Sequence, residues 1–159
     1  GHLEPADVMR VDAAGRSLDG KRPSAETLAH VAVYRARPIA NAVLHTHSVQ
    51  AVVLTRLDRQ ALRIGIAGYE MLKALPGFDT HEDEAVLPIF DNDQDMDRLS
   101  AKAEAALRDD PRAPAFLIRD HGLYAWGSSM HEAMSAAEGL EFLLACELEM
   151  QRCKARSAT

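Results

Sequence analysis

Short apolar runs alternate along this chain with segments of helical period, and that alternation leaves few architectures open to it. The runs "ANAVLHTH", "ALRIGI" and "VLPIF", and the pair within "PRAPAFLIRDHGLYAWG", read as strands, the last pair being interrupted at His121 and Gly122. Between them lie segments that repeat every three to four residues. In "RPSAETLAHVAVYRARP", Leu28, Val31, Ala32 and Arg35 share one face, Ser24 can cap and Pro38 stops the helix. Ser48 can cap a short helix through Leu57. Asp93 or Asp95 can start another that runs to about Arg108, with Met96, Leu99, Ala103 and Leu107 inward. A long helix from Met130 to about Lys154 closes the chain, with Ser129 and Glu132 in capping-box spacing. Near the start, "DVMRVDAAGRSLDG" alternates apolar and polar residues around Ala14 and Gly15, which predicts a hairpin ending near Asp19 and Gly20. "GYEMLKALPG" allows one or two helical turns closed by Pro76 and Gly77, and "FDTHEDEA" reads as an acidic loop. Without internal repeats or low-complexity linkers, the pattern implies one α/β domain over residues 1–159, a sheet covered by helices on both faces.

At 159 residues and 47% hydrophobic, the chain is long enough for one sizeable core. Its net charge of -6 and its lack of a Lys/Arg cluster argue against nucleic acid or an anionic membrane as partner, since both need a concentrated positive field. No apolar run approaches the roughly 18 to 20 residues that span a bilayer, and "GHLEPADVMR" lacks the regions of a signal peptide, so the cytoplasm is the expected compartment. Cys146 and Cys153, seven apart on one helix, form neither a bridge nor a Cys-x-x-Cys pair and read as reduced packing residues.

The chemistry lies in the histidines. On a strand, His45 and His47 project from the same face with Cα atoms about 6.5 to 7 Å apart, close enough for both rings to reach one ion. His121, after "AFLI" and before Gly122, lies at a strand end where its ring can be delivered as a third ligand, and zinc in catalytic sites takes three protein ligands plus an open position. The bland alternative is a pair of polar residues on a half-exposed strand. His30 reads as a packed helix histidine, His81 as an exposed loop residue, and His2 and His131 as surface residues. Two carboxylates compete for acid–base work. Glu26 stands in the first turn of its helix, where capping alone would explain it, and Glu70 could simply pair with Lys73. Proton transfer at a metal centre needs a base, and Glu70 suits that role if burial raises its pKa toward the working pH.

The segments "RPSAETLAHVAVYR", "AVLHTHS", "GYEMLKALPGFDTHEDEAVLPIFDNDQDM" and "FLIRDHGLYAWG" together resemble the class II aldolase and adducin-head family over essentially the whole chain. The resemblance implies a three-layer αβα sandwich with a mixed or antiparallel central sheet, one Zn2+ per subunit held by His45, His47 and His121, and a homotetramer with sites near subunit boundaries. "GYEMLKAL", "THE" and "LPIFDNDQD" resemble its dehydratase branch, which implies a lyase that removes water from 5-methylthioribulose 1-phosphate to give 2,3-diketo-5-methylthiopentyl 1-phosphate in methionine salvage. In that branch the acid–base residue matches Glu70. Glu26 matches the catalytic glutamate of the family's sugar-phosphate aldolases, which keeps an aldolase or epimerase as the alternative, beside a non-catalytic interaction module of the adducin-head kind. Family members carry a further N-terminal segment with Gly-, Ser- and Thr-rich loops that hold the substrate phosphate. The sequence begins beyond the stretch that would match it, so the resemblance assigns no phosphate-binding residue.

Overall fold

The computed structural model describes residues 4–157. Five strands, β1 (Ala42–Thr46), β2 (Arg63–Ala67), β3 (Glu84–Phe90), β4 (Ala115–Ile118) and β5 (Gly122–Gly127), form one sheet in the order β1-β5-β4-β3-β2. Every neighbouring pair is antiparallel except β3 and β4, which run parallel. The parallel pair requires a crossover, and α3 (Met96–Asp109) supplies it. The remaining helices are α1 (Thr27–Ala36), α2 (Val49–Leu57) and α4 (Met130–Ser157), with short 3-10 helices at Pro5–Asp7 and Glu70–Ala74.

Alternation along the strands divides the core in two. Ala115 and Leu117 of β4 and Leu123 and Ala125 of β5 pack with α2, α4 and the Glu70–Ala74 turn. Their neighbours Phe116, Ile118, Tyr124 and Trp126 pack on the opposite face against Ala29 and Val33 of α1 and Leu99, Ala103 and Leu107 of α3. The result is a three-layer αβα arrangement with a mixed sheet, as the family resemblance implies. Among the described residues, no helix is long and apolar enough to cross a membrane.

Local chemistry explains where the elements start and stop. Ser24 takes the Glu26 amide on its hydroxyl and the Thr27 amide on its carbonyl, at 3.2 and 3.1 Å, so α1 starts three residues after it. The helix ends before Arg37, which precedes Pro38 and leaves the helical region at φ -126, ψ 82. Asp95 rather than Asp93 caps α3, accepting from the Arg98 amide. The N-terminal hairpin is reduced to one bridge, Val11 to Ser17, around a turn in which Gly15 has φ 74. β3 begins at Glu84, inside the stretch read as a loop, because β2 pairs with it from Ala67 opposite Glu84 onward.

One difference concerns a site residue. β1 ends at Thr46, so His45 lies in the strand and His47 just beyond it. Ser48 is the reason: its hydroxyl accepts the Ala51 amide at 3.1 Å to start α2, and the chain leaves the sheet to make that cap.

Gly122 opens β5 where β1 and β5 approach most closely. A Cβ there would lie 2.0 Å from the Thr46 carbonyl oxygen and 3.2 Å from His45 Cε1. Backbone cannot yield as a side chain can. Gly122→Ala is therefore expected to destabilise the fold by at least about 1–3 kcal/mol in urea unfolding, the usual cost of overpacking. Wild-type stability in this variant would show that the strands can part here at no cost.

Candidate metal centre

The β1–β5 ladder sets His45 opposite Tyr124 and Thr46 opposite Leu123. The His45 ring stacks on the Tyr124 ring, with centroids 4.3 Å apart and 23° between planes. Its Nδ1 is 2.9 Å from the Leu123 carbonyl oxygen. A carbonyl only accepts, so Nδ1 carries the proton and Nε2 presents its lone pair. That Nε2 is buried, with no hydrogen-bond partner.

His121 reaches the same point from the turn between β4 and β5. Asp120 takes a left-handed conformation at φ 60 there, and the His121 amide closes back on the Ile118 carbonyl at 3.1 Å. Arg119 anchors the turn from inside. Its guanidinium donates to Asp91 at 2.9 Å and to the carbonyls of Thr55, Asp58 and Ala61 at 2.9, 3.2 and 2.8 Å, which ties the turn to the end of α2.

His47 Nε2 lies 3.1 Å from His121 Nε2. Glu26, at the start of α1, brings Oε1 to 2.9 Å from His121 Nε2, 3.8 Å from His45 Nε2 and 4.0 Å from His47 Nε2. One ligand atom from each of the four residues lies within 4.8 Å of all the others. His45 is the buried member, with a side chain 8% exposed, and His47 the open one at 67%. Three imidazole nitrogens and a carboxylate oxygen are a donor set for a divalent metal, and the orphaned lone pair of His45 is what such an ion would satisfy.

The structure thus brings together His45, His47 and His121, and adds Glu26 to them. It does not bring Glu70. β2 runs opposite to β3, so the segment after Ala67 leaves the sheet at the end where β3 starts, whereas the histidines gather where β1, β3 and β4 finish. The Glu70–Ala74 turn also packs on the α4 side of the sheet through Leu72, while the His45 ring lies on Tyr124, in the α1–α3 layer. Glu70 is 71% exposed, ion-paired with Lys73 and 3.4 Å from His81 Nδ1. The hydrogen bond from Lys73 holds its carboxyl below the usual range, so the pairing with Lys73 is present and the condition that burial raise its pKa is not met.

Of the other histidines, His30 sets its ring edge-on to Tyr124 at 5.2 Å in α1, while His81 and His131 are exposed. His2 lies outside the described residues. Phe78, Tyr124 and Trp126 are buried in the core. Tyr124 has a second role that sequence reasoning missed, as the platform under His45. Only the strand register reveals it.

This is the scaffold and donor set of a metal-binding α/β enzyme. The chain belongs to the family described as class II aldolase and adducin N-terminal domain, whose model matches residues 1–148. It is 51% identical over 152 residues to a protein of Pseudomonas syringae pv. syringae named methylthioribulose-1-phosphate dehydratase, covering 95% of this chain and 74% of the relative. A protein of the same name from Hahella chejuensis is 48% identical over 155 residues, covering 97% and 74%. In fold, the chain is similar to the crystal structure of L-fuculose-1-phosphate aldolase from Thermus thermophilus, with a TM-score of 0.72 at 24% identity, covering 97% of this chain and 74% of that one.

Burial pushes the imidazoles of His45 and His30 below the ordinary histidine value, and the nearby Glu26 charge opposes this only in part. The unfolded chain therefore binds these protons at higher pH than the folded chain does. The stability this contributes is fully present above the unfolded value near 6.5 and is lost as pH falls toward the depressed folded values. The urea midpoint of metal-free protein should fall between about pH 7.5 and about pH 5.5, and His45→Gln should flatten that dependence. An equally steep profile in the variant would assign the effect to other groups.

Proposed function

We propose that this protein dehydrates 5-methylthioribulose 1-phosphate to 2,3-diketo-5-methylthiopentyl 1-phosphate, as a zinc-dependent hydro-lyase of methionine salvage in the cytoplasm. The observation that carries this reading is the cluster of His45, His47, His121 and Glu26 in a chain about half identical to dehydratases of that name. Three neutral imidazoles suit zinc, and the fixed Nδ1 proton of His45 keeps its Nε2 in the ligating form. A divalent cation held there supplies Lewis acidity that lowers the cost of negative charge on the C2 oxygen of the ketose. The reaction removes the C3 proton and expels the C4 hydroxyl as water, and the resulting enol at C3 becomes the second ketone. All carbons stay in one molecule, which separates this reaction by product analysis from aldol cleavage.

Glu70 is the proposed acid–base residue. Its carboxylate, held ionised by Lys73, accepts the C3 proton and returns it to the leaving hydroxyl. Because it stands at the other end and on the other face of the sheet, it serves a site on a neighbouring copy, in a homotetramer with active sites at subunit boundaries. A closed, purely structural zinc site is the second reading, favoured by Glu26 as a fourth donor. The exposure of His47 favours an open site instead.

Purified protein should hold about one zinc per chain by mass spectrometry, and His47→Ala should lose it. Glu70→Gln should retain zinc and fold but lose about 10²–10⁴-fold in dehydration rate. Mixing and refolding these two inactive variants together should restore activity, up to about a quarter of wild type if chains assort at random. No recovery in mixed assemblies that bind zinc would remove Glu70 from a neighbour's site. Full activity of Glu70→Gln would remove it from the chemistry.

A further inference from the structure

His47 lies beyond the last residue of β1, so no strand pairing holds it, and its side chain is largely exposed. Its two neighbours in sequence are nonetheless tied to a single side chain on α4. Thr46 Oγ1 donates to Glu141 Oε1 at 2.8 Å, and Ser48 Oγ donates to Glu141 Oε2 at 2.6 Å. Ser48 Oγ also accepts the Ala51 amide that starts α2. One carboxylate therefore ties together the side chains on both sides of His47, one oxygen to each. The helix that carries it is anchored, because Leu140, Leu143 and Leu144 of α4 are fully buried.

We propose that Glu141 is a positioning residue for His47. Its hydrogen bonds go to Thr46 and Ser48 and not to the four clustered residues. By holding Thr46 and Ser48 it sets the direction of the residue between them, and so holds His47 Nε2 at 3.1 Å from His121 Nε2. Without it, an exposed residue between a strand end and a helix cap keeps several backbone conformations, and ordering it again on ligand binding costs conformational entropy. Groups that orient metal ligands from outside typically change metal affinity about 10–100-fold when removed. The inference rests on the reading of the cluster as a metal centre.

The test uses the full chain as Glu141→Ala and Glu141→Gln, with zinc affinity measured by competition against a chromophoric chelator. Glu141→Ala should fold and bind zinc about 10–100-fold more weakly. Glu141→Gln, which can still accept one of the two hydroxyl hydrogen bonds, should lose less. Thr46→Val should weaken zinc binding in the wild-type background and add little in Glu141→Ala. Leu148→Ala, a core variant on the same helix, controls for loss of stability and should leave zinc affinity unchanged. Unchanged affinity in a folded Glu141→Ala protein overturns the proposal, as does an equal loss in Leu148→Ala. A second readout needs no metal. In metal-free protein the backbone order parameter of His47 should fall from about 0.85 toward about 0.6 in Glu141→Ala. If wild type bound no zinc, the metal reading would fail, and an unchanged order parameter would separately overturn the clamp.

Discussion

The antiparallel pairing of β1 with β5 is the constraint on which the rest of the site depends. It places His45 across from Tyr124, which supports the ring, and beside Leu123, whose carbonyl sets the ring's proton. β5 is also bonded to β4, so the same ladder delivers the turn carrying His121 to the end of β1, although His47 and His121 are 74 residues apart in the chain. A slip of one residue would turn His45 to the α4 face and dissolve the cluster. Gly122 matters for the same reason, since only a residue without Cβ lets the strands come this close at the point where the rings meet.

Around that ladder the histidines are held by different means, and the means follow their burial. His45 is fixed by stacking and a backbone acceptor inside the α1–α3 layer. His121 is fixed by a left-handed turn whose preceding arginine is buried and donates through all three guanidinium nitrogens. His47, the outermost, meets the rings of His45 and His121 at 4.9 and 4.8 Å but has no strand pairing, and the residues on either side of it are held by hydrogen bonds from their side chains to Glu141. Glu26 adds a carboxylate oxygen to the three imidazole nitrogens, from a helix start that the Ser24 turn fixes. Tyr124 lies between His45 and Phe116, with its hydroxyl buried and unpartnered, so its contribution to the centre is the ring face.

Much of this was legible in the sequence, for reasons that are local. Strand periodicity marked β1, β4 and β5, and serine or aspartate caps marked α2 and α3 within a residue or two. The three histidines were legible because each sits at or beside a strand end, where metal ligands can converge. What was lost depends on competition and on layering. The strand pattern ran on through His47, yet the cap at Ser48 won and ended β1 at Thr46. For Glu70 the sequence left two readings open, a pair with Lys73 in solvent or a buried base; Leu72 and Leu75 of its segment turn inward, and Glu70 is left in solvent beside Lys73. Neither the order of strands in the sheet nor the face a short 3-10 turn packs on is written in its own residues, so the separation of Glu70 from the histidines could not be read from the chain.

That separation cannot be closed by motion within one chain. The turn bearing Glu70 is pinned by Leu72 and Leu75, both buried against the α4 layer. Pulling two such leucines into water would cost on the order of 3–6 kcal/mol at 1.5–3 kcal/mol each. Even then the turn would face the wrong end of the sheet. A swing of that size would consume much of a typical domain's 5–15 kcal/mol of stability. Contact with a second copy needs no such rearrangement, because Glu70 is already exposed and charged, as the edge of a shared site requires. The proposal that Glu70 is the base therefore carries with it a second copy of the chain for proton transfer, whereas His45, His47, His121 and Glu26 come together within one chain.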